Sequence, residues 1–230
     1  MSGTDDTAFR NQLLEAIFAS GGYPTVDHFA KTFLDSAGRN LKLWFIPVGN
    51  AYFKYKEGLT LPAYAGWGNM QSSSSAMAIA PMGIINACNP KQAALETMEI
   101  ASFIHNGETG FCRDAACAMA AAVAAAFKPE TTIEKVIESA RTEILPISGH
   151  EMAGLISEAL EIARRTGSYE EFREEYYDKY LRTILCDSQE TIPAVFAILL
   201  LSKGDPKQSI IWGANFGRDS DTIATMVGGV

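Results

Sequence analysis

The sequence predicts an all-α fold, a compact multi-helix bundle read as one domain over residues 1–230. Three observations predict it. Apolar residues recur at helical spacing along nearly the whole chain. Helix-start signatures punctuate it, several with proline at the first helical position. No alternating run of convincing length occurs, Leu43–Val48 (LWFIPV) being the nearest candidate for a strand, and no repeat of solenoid period is present.

Element by element, Thr7–Ser20 carries Phe9, Leu13, Leu14, Ile17 and Phe18 at helical spacing and stops at Gly21-Gly22. Thr25 caps the next helix, with Val26, Phe29, Phe33 and Leu34 on one face. Residues 38–70 are poor in period and rich in Gly, Pro and aromatics, and so predict a long loop with short helical pieces. Asn89-Pro90 opens a helix running to about His105. The alanine-rich stretch 110–127 predicts a central helix that neighbours approach closely. Ser148-x-x-Glu151 and Ser168-x-x-Glu171 have the form of capping boxes. Thr191 is expected to cap a helix with Pro193 in its first turn, ending near Ser202 with Gly204 beyond. Asp205-Pro206 starts another helix, which the Gly213–Gly217 region ends, and Asp219 caps the last.

Composition narrows the function. A net charge of −8 disfavours nucleic acid, which wants clustered Lys and Arg. The apolar stretch Met119–Phe127 is too short to span a membrane. No basic-apolar-small leader opens the chain. The four cysteines, Cys88, Cys112, Cys117 and Cys186, show no CxxC spacing and read as cytoplasmic thiols. Three histidines without HxH or HExxH spacing argue against an imidazole-built zinc site. The acidity fits a site for hard cations, which can in turn recruit an anionic ligand.

Two segments have that chemistry. Asp219-Ser220-Asp221-Thr222 offers two carboxylates and a hydroxyl at a helix start, more oxygen than capping needs. Thr4-Asp5-Asp6-Thr7 repeats the composition before the first helix. If the fold joins the two, four carboxylates and two hydroxyls converge, a set that needs cations and suits a two-metal site. A third segment, residues 64–83 (YAGWGNMQSSSSAMAIAPMG), combines Gly66 and Gly68 with four serines before a short helical run. It reads equally as an anion-binding helix start and as a flexible surface loop.

These motifs, GTDDT, GN…SSAMAIAPMG, AMAAAVAAAF and NFGRDSDTIATMVGG, resemble in kind and order those of the ADP-ribosylglycohydrolase family. That family includes the dinitrogenase reductase-activating glycohydrolases and the eukaryotic ADP-ribosylhydrolases. The resemblance spans essentially the whole chain, and TDDT with GRDSDTIA is specific as a pair. It implies an all-α fold holding two Mg²⁺ or Mn²⁺ ions, and hydrolysis at the anomeric carbon of ADP-ribose linked to a protein side chain or small adduct. Thr4, Asp5, Asp6, Asp219, Asp221 and Thr222 match the family's metal ligands. Asp5 and Asp6 are the expected catalytic carboxylates. Gly68, Asn69, Ser74, Ser75, Ala76 and Met77 fall on the family loop that lines the ADP-ribose cleft. His105 falls near a family histidine, though a helix-end histidine otherwise serves as a dipole partner. Asn215 and Arg218 are expected at the ligand or one step behind it.

The chain departs from the family pattern in places. Ala78 stands where the family often has arginine, and extra serines intervene. The Gly-rich, GDALG-like segment expected before TDDT is not in this sequence, and both ends read as cut within the domain. Two alternatives accompany the resemblance: a non-catalytic or structural, crystallin-like relative, and a hydrolase of another nucleoside or sugar adduct.

Overall fold

The computed structural model describes residues 4–36 and 42–230. Among them lie thirteen α-helices and no strand. In order they are α1 (Asp5–Ala19), α2 (Val26–Ser36), α3 (Ile46–Lys56), α4 (Ser74–Met77), α5 (Ala80–Ile85), α6 (Pro90–Ala101), α7 (Phe111–Ala126), α8 (Ile133–Thr142), α9 (His150–Thr166), α10 (Tyr169–Tyr180), α11 (Ser188–Leu201), α12 (Pro206–Asn215) and α13 (Ser220–Gly229). Single 3₁₀ turns occupy Pro62–Tyr64 and Gly107–Thr109. The all-α class is as the sequence predicts.

The alanine-rich helix α7 is the hub. Thirteen of its residues are buried, and α4, α5, α6, α8 and α11 all pack on it. Side chains no larger than a methyl let these neighbours approach. The tightest approach is Gly83 of α5, where an added Cβ would stand 2.5 Å from Val123 Cβ and 2.7 Å from the Ala120 carbonyl oxygen. Both obstacles belong to the rigid hub, so neither can rotate aside. Gly83→Ala should therefore push α5 off α7 and destabilise the fold by about 1–3 kcal/mol, the usual range for overpacking. Urea unfolding would measure it; an unchanged midpoint would contradict the close crossing.

A second focus is aromatic. Phe9 of α1, Phe29 and Phe33 of α2, Trp44 before α3, and Phe103 after α6 meet with ring centroids 5.0–5.9 Å apart. Aromatic rings bury large areas and prefer these tilted and edge-on contacts. The cluster seats α1 against α2, and so fixes where the first turn of α1 points.

Several local expectations need correction. Phe18 and Leu34 share their helices' apolar spacing but are exposed, while Phe9, Leu13, Ile17, Phe29 and Phe33 fill the core. Among residues 42–70 the helical pieces are a single 3₁₀ turn and α3, which is longer than the short pieces expected and forms from within LWFIPV with Pro47 in its first turn. That turn tolerates proline because its N–H groups have no helical partner. Ser148 does not cap α9; its hydroxyl donates to Asp114 Oδ1 at 3.0 Å, and Gly149 is the N-cap. Asp187, not Thr191, caps α11, accepting from the Gln189 N–H. The Asn89, Ser168 and Asp205 caps form as the sequence predicts.

Candidate functional site

Thr4 is the N-cap of α1, yet its side chain makes no capping bond; its hydroxyl donates to Asp6 Oδ2 at 3.1 Å. Asp6 is 1% exposed. Its other oxygen, Oδ1, is buried with no hydrogen-bond partner. A buried, unpartnered carboxylate oxygen is unfavourable unless something positive meets it. Asp5 beside it is half-buried. Burial raises its pKa, the charge of Asp221 adds to the rise, and the Phe45 backbone amide at the start of α3 pulls the other way.

At the far end of the chain, Asp219 is the N-cap of α13, and it too makes no side-chain cap bond. Its Oδ2 instead accepts from Ser73 Oγ at 2.9 Å. Neither N-cap residue, Thr4 or Asp219, thus spends its side chain on capping its helix. The fold also brings the two within electrostatic reach. Burial, then Asp5, then Asp221 push Asp6 up to about 6. Burial raises Asp219 to about 6, with Asp221 and Asp6 adding to it against the Ser73 and Thr222 hydroxyls. Thr222 is buried at the same helix start, and Asp221 is exposed.

The serine run links the two halves. It is no flexible loop: Ser72, Ser73, Ser74 and Ser75 are all buried. Ser72 Oγ and Ser75 Oγ bracket the imidazole of His105, at 3.1 Å from Nε2 and 2.6 Å from Nδ1. His105 is fully buried, and burial lowers its pKa to about 3, so the ring is neutral. A neutral imidazole has one N–H and one lone pair, so one serine donates to it and the other accepts. Gly66 makes room for this arrangement. A Cβ there would come within 2.6 Å of the His105 backbone and the Ser102 carbonyl. The serine backbone is pinned as well, by Ser73 N–H on the Cys186 carbonyl at 2.6 Å and by Ser188 Oγ on the Ser72 carbonyl at 2.7 Å.

The remaining expected site residues fall into two groups. Ser74, Ser75, Ala76 and Met77 form the short buried helix α4. The N–H groups of Asn69, Ser73, Ser74, Ala76 and Met77 already donate within the protein, so this segment is not a row of free anion donors. Asn69 is buried, and its amide donates to the carbonyls of Pro47 at 3.0 Å and Ile104 at 2.7 Å. Gly68 is exposed with φ +73° and open space beside it.

Asn215 and Arg218, expected at the ligand or one step behind it, both make bonds within the protein. Asn215 turns its amide back onto the Ile211 carbonyl of its own helix, and Arg218 forms a two-pronged ion pair with Glu190.

Sequence reasoning missed two neighbours. Cys186 is close enough to Asp219 and Asp5 that, after burial, their charges help raise its thiol to about 12. Trp67 is 58% exposed and lies against Gly107, with Lys54 Nζ on its carbonyl at 2.8 Å. An aromatic beside Gly68-Asn69 was the available signal for the second; nothing in the spacing marks the first.

Among the described residues, no three His, Cys, Asp or Glu side chains already stand close enough together to enclose a metal ion. The donor set nevertheless fits hard cations. It holds four carboxylates, two hydroxyls, an unpartnered buried oxygen on Asp6, and charges that raise one another's pKa. Without a cation, Asp6 and Asp219 bind protons more tightly folded than unfolded. Their stabilising contribution is therefore complete below pH of about 4 and is lost as pH rises through about 6. In EDTA, the variant Asp6→Asn/Asp219→Asn should gain in melting temperature relative to wild type between pH of about 4 and about 7. A difference that stays constant with pH would contradict the raised pKa values.

A family model described as ADP-ribosylglycohydrolase matches residues 2–230. No curated protein matches the chain.

Proposed function

Because the chain belongs to the ADP-ribosylglycohydrolase family, we propose that it is a cation-dependent hydrolase releasing ADP-ribose from a protein side chain or small adduct. The observation that carries this reading is the electrostatic coupling of the α1 and α13 aspartates, with one buried Asp6 oxygen left without a partner. Thr4, Asp5, Asp6, Asp219, Asp221 and Thr222 would hold two divalent cations, Mg²⁺ or Mn²⁺, whose bound chemistry is Lewis acidity toward ribose and water oxygens.

The chain's own groups do the rest. Asp5, half-buried at the opening of α1, is better placed than buried Asp6 to orient a water and take its proton. The water oxygen bonds to the anomeric carbon. The glycosidic bond breaks with its electron pair going to the leaving group, which then takes up a proton. Positive charge develops on the sugar in this oxocarbenium-like passage, and the carboxylate cluster stabilises it. The exposed face of Trp67 suits a purine base, and Lys54 supplies positive charge on the same rim for the diphosphate.

The test is a panel of Arg-, Ser- and acetyl-linked ADP-ribose, with plain nucleosides alongside, assayed with Mn²⁺, with Mg²⁺ and with EDTA. Cation-dependent release of ADP-ribose is the expected result. Binding of ADP-ribose without release would instead favour a non-catalytic relative. Cleavage of nucleosides alone would favour the other hydrolase. Asp5→Asn should lower kcat by about 10²–10⁴, the span of a lost general base, while thermal unfolding changes little.

A further inference from the structure

The turn that presents Asp219 and Asp221 is held in an unfavourable backbone conformation by groups outside it. Gly217 and Arg218 are consecutive left-handed residues, with φ of +94° and +58°. Glycine accepts this freely; arginine does not, and such strain persists only where surroundings over-determine it. Gly217 also has no room for a Cβ, which would collide with the Tyr177 hydroxyl.

Two anchors lie on either side. Ahead of the turn, the Phe216 carbonyl accepts from both Arg173 Nε at 2.6 Å and Tyr177 OH at 2.5 Å, while the Phe216 ring is fully buried. At the turn, the Arg218 guanidinium grips Glu190 through Nε at 2.8 Å and Nη2 at 2.9 Å, and Nη2 also reaches the Arg182 carbonyl at 2.5 Å. Glu190 is 1% exposed on α11, and its Oε2 accepts the Arg182 N–H at 2.7 Å as well. A buried carboxylate with a forked arginine partner is geometrically specific, more so than it is stabilising. It fixes the direction of residue 218, and so of the next residue, Asp219.

We propose that Arg218, Glu190 and Tyr177 are positioning residues that aim the aspartates of α13 at those of α1, so that their loss weakens cation binding without a ligand being touched. This rests on the two-cation reading above. Arg218→Met alone would leave Glu190 buried and unpaired, so the neutral pair Arg218→Met/Glu190→Gln is the cleaner probe. Tyr177→Phe is the mild second probe.

The experiment is calorimetric titration of the full chain with Mn²⁺, beside thermal unfolding of the same samples in EDTA. The double variant should bind Mn²⁺ about 10–100-fold more weakly, the usual loss when a group behind the ligands is removed. Tyr177→Phe should show a smaller loss. Arg218→Lys, which keeps the charge but not the fork, should recover only part of the affinity. Wild-type affinity in both the double variant and Tyr177→Phe would overturn the inference and leave the two-cation reading intact. Wild type that binds no Mn²⁺ would overturn both. If the double variant does not fold, Tyr177→Phe decides alone.

Discussion

Asp219→Asn/Asp221→Asn is expected to abolish divalent-cation binding while leaving the fold intact. The reasons are separable. Asp219 makes no capping bond to α13, so its charge is not what starts that helix. Burial and like charges already raise it to about 6, so the folded chain in EDTA tolerates a neutral group there. The hydroxyl of Ser73 can still donate to the Asn carbonyl oxygen. For binding the change is severe, because an uncharged amide replaces half of the proposed carboxylates. Affinity should fall more than about 100-fold, beyond the range for groups behind the ligands. Calorimetry with Mn²⁺ and Mg²⁺ checks it. Unchanged affinity would sink the proposed centre, and a collapse of melting temperature in EDTA would show that the pair is structural.

Phe33→Ala is the largest expected effect on stability. Phe33 is fully buried and meets Phe9, Phe29, Trp44 and Phe103 with centroids 5.0–5.5 Å away. Removing the ring leaves a cavity walled by other rigid rings, which collapse poorly. A loss of about 3–5 kcal/mol is expected, which at about 2–4 °C per kcal/mol for a chain of this size is about 6–20 °C in melting temperature. Urea unfolding gives the first number and calorimetry the second. Because the cluster seats α1, Mn²⁺ affinity should weaken too, and Phe33→Leu should restore most of both. A loss under about 1 kcal/mol would mean that the neighbours close the gap.

The helical class was legible because period, caps and breakers all agree along most of the chain. Asp205-Pro206 and Ser168-x-x-Glu171 specify local hydrogen bonds, and local bonds are what a sequence encodes directly. Ser148 misled for the opposite reason. Its hydroxyl had a better acceptor in Asp114, an interaction between helices that no local pattern reveals. The α3 helix was hidden because Pro47 and the surrounding aromatics look like loop, yet proline is at home in a first turn.

The site divides in the same way. TDDT and DSDT stand out as oxygen-rich beyond any capping need, so their pairing could be read before their proximity was known. The serine run could not be assigned, because its meaning lies in His105, Cys186, Ser188 and Asp219, all distant in sequence. Arg218 was expected at the ligand or one step behind it, but its partner could not be read from the neighbouring aspartates, because Glu190 lies on α11.

The separation of the two acidic turns also bears on how the molecule assembles. α1 and α13 are the first and last helices described, and their carboxylates repel until something positive lies between them. Closing so long a loop is among the later and more costly steps for a chain emerging from synthesis. A cation held by both turns would therefore be captured only once α1 and α13 have docked. Once captured, it would act as a clasp across that loop, stabilising the docked arrangement by mass action. Before α13 docks there is no such clasp, and the ion would register that two distant turns have met as well as act as a reagent.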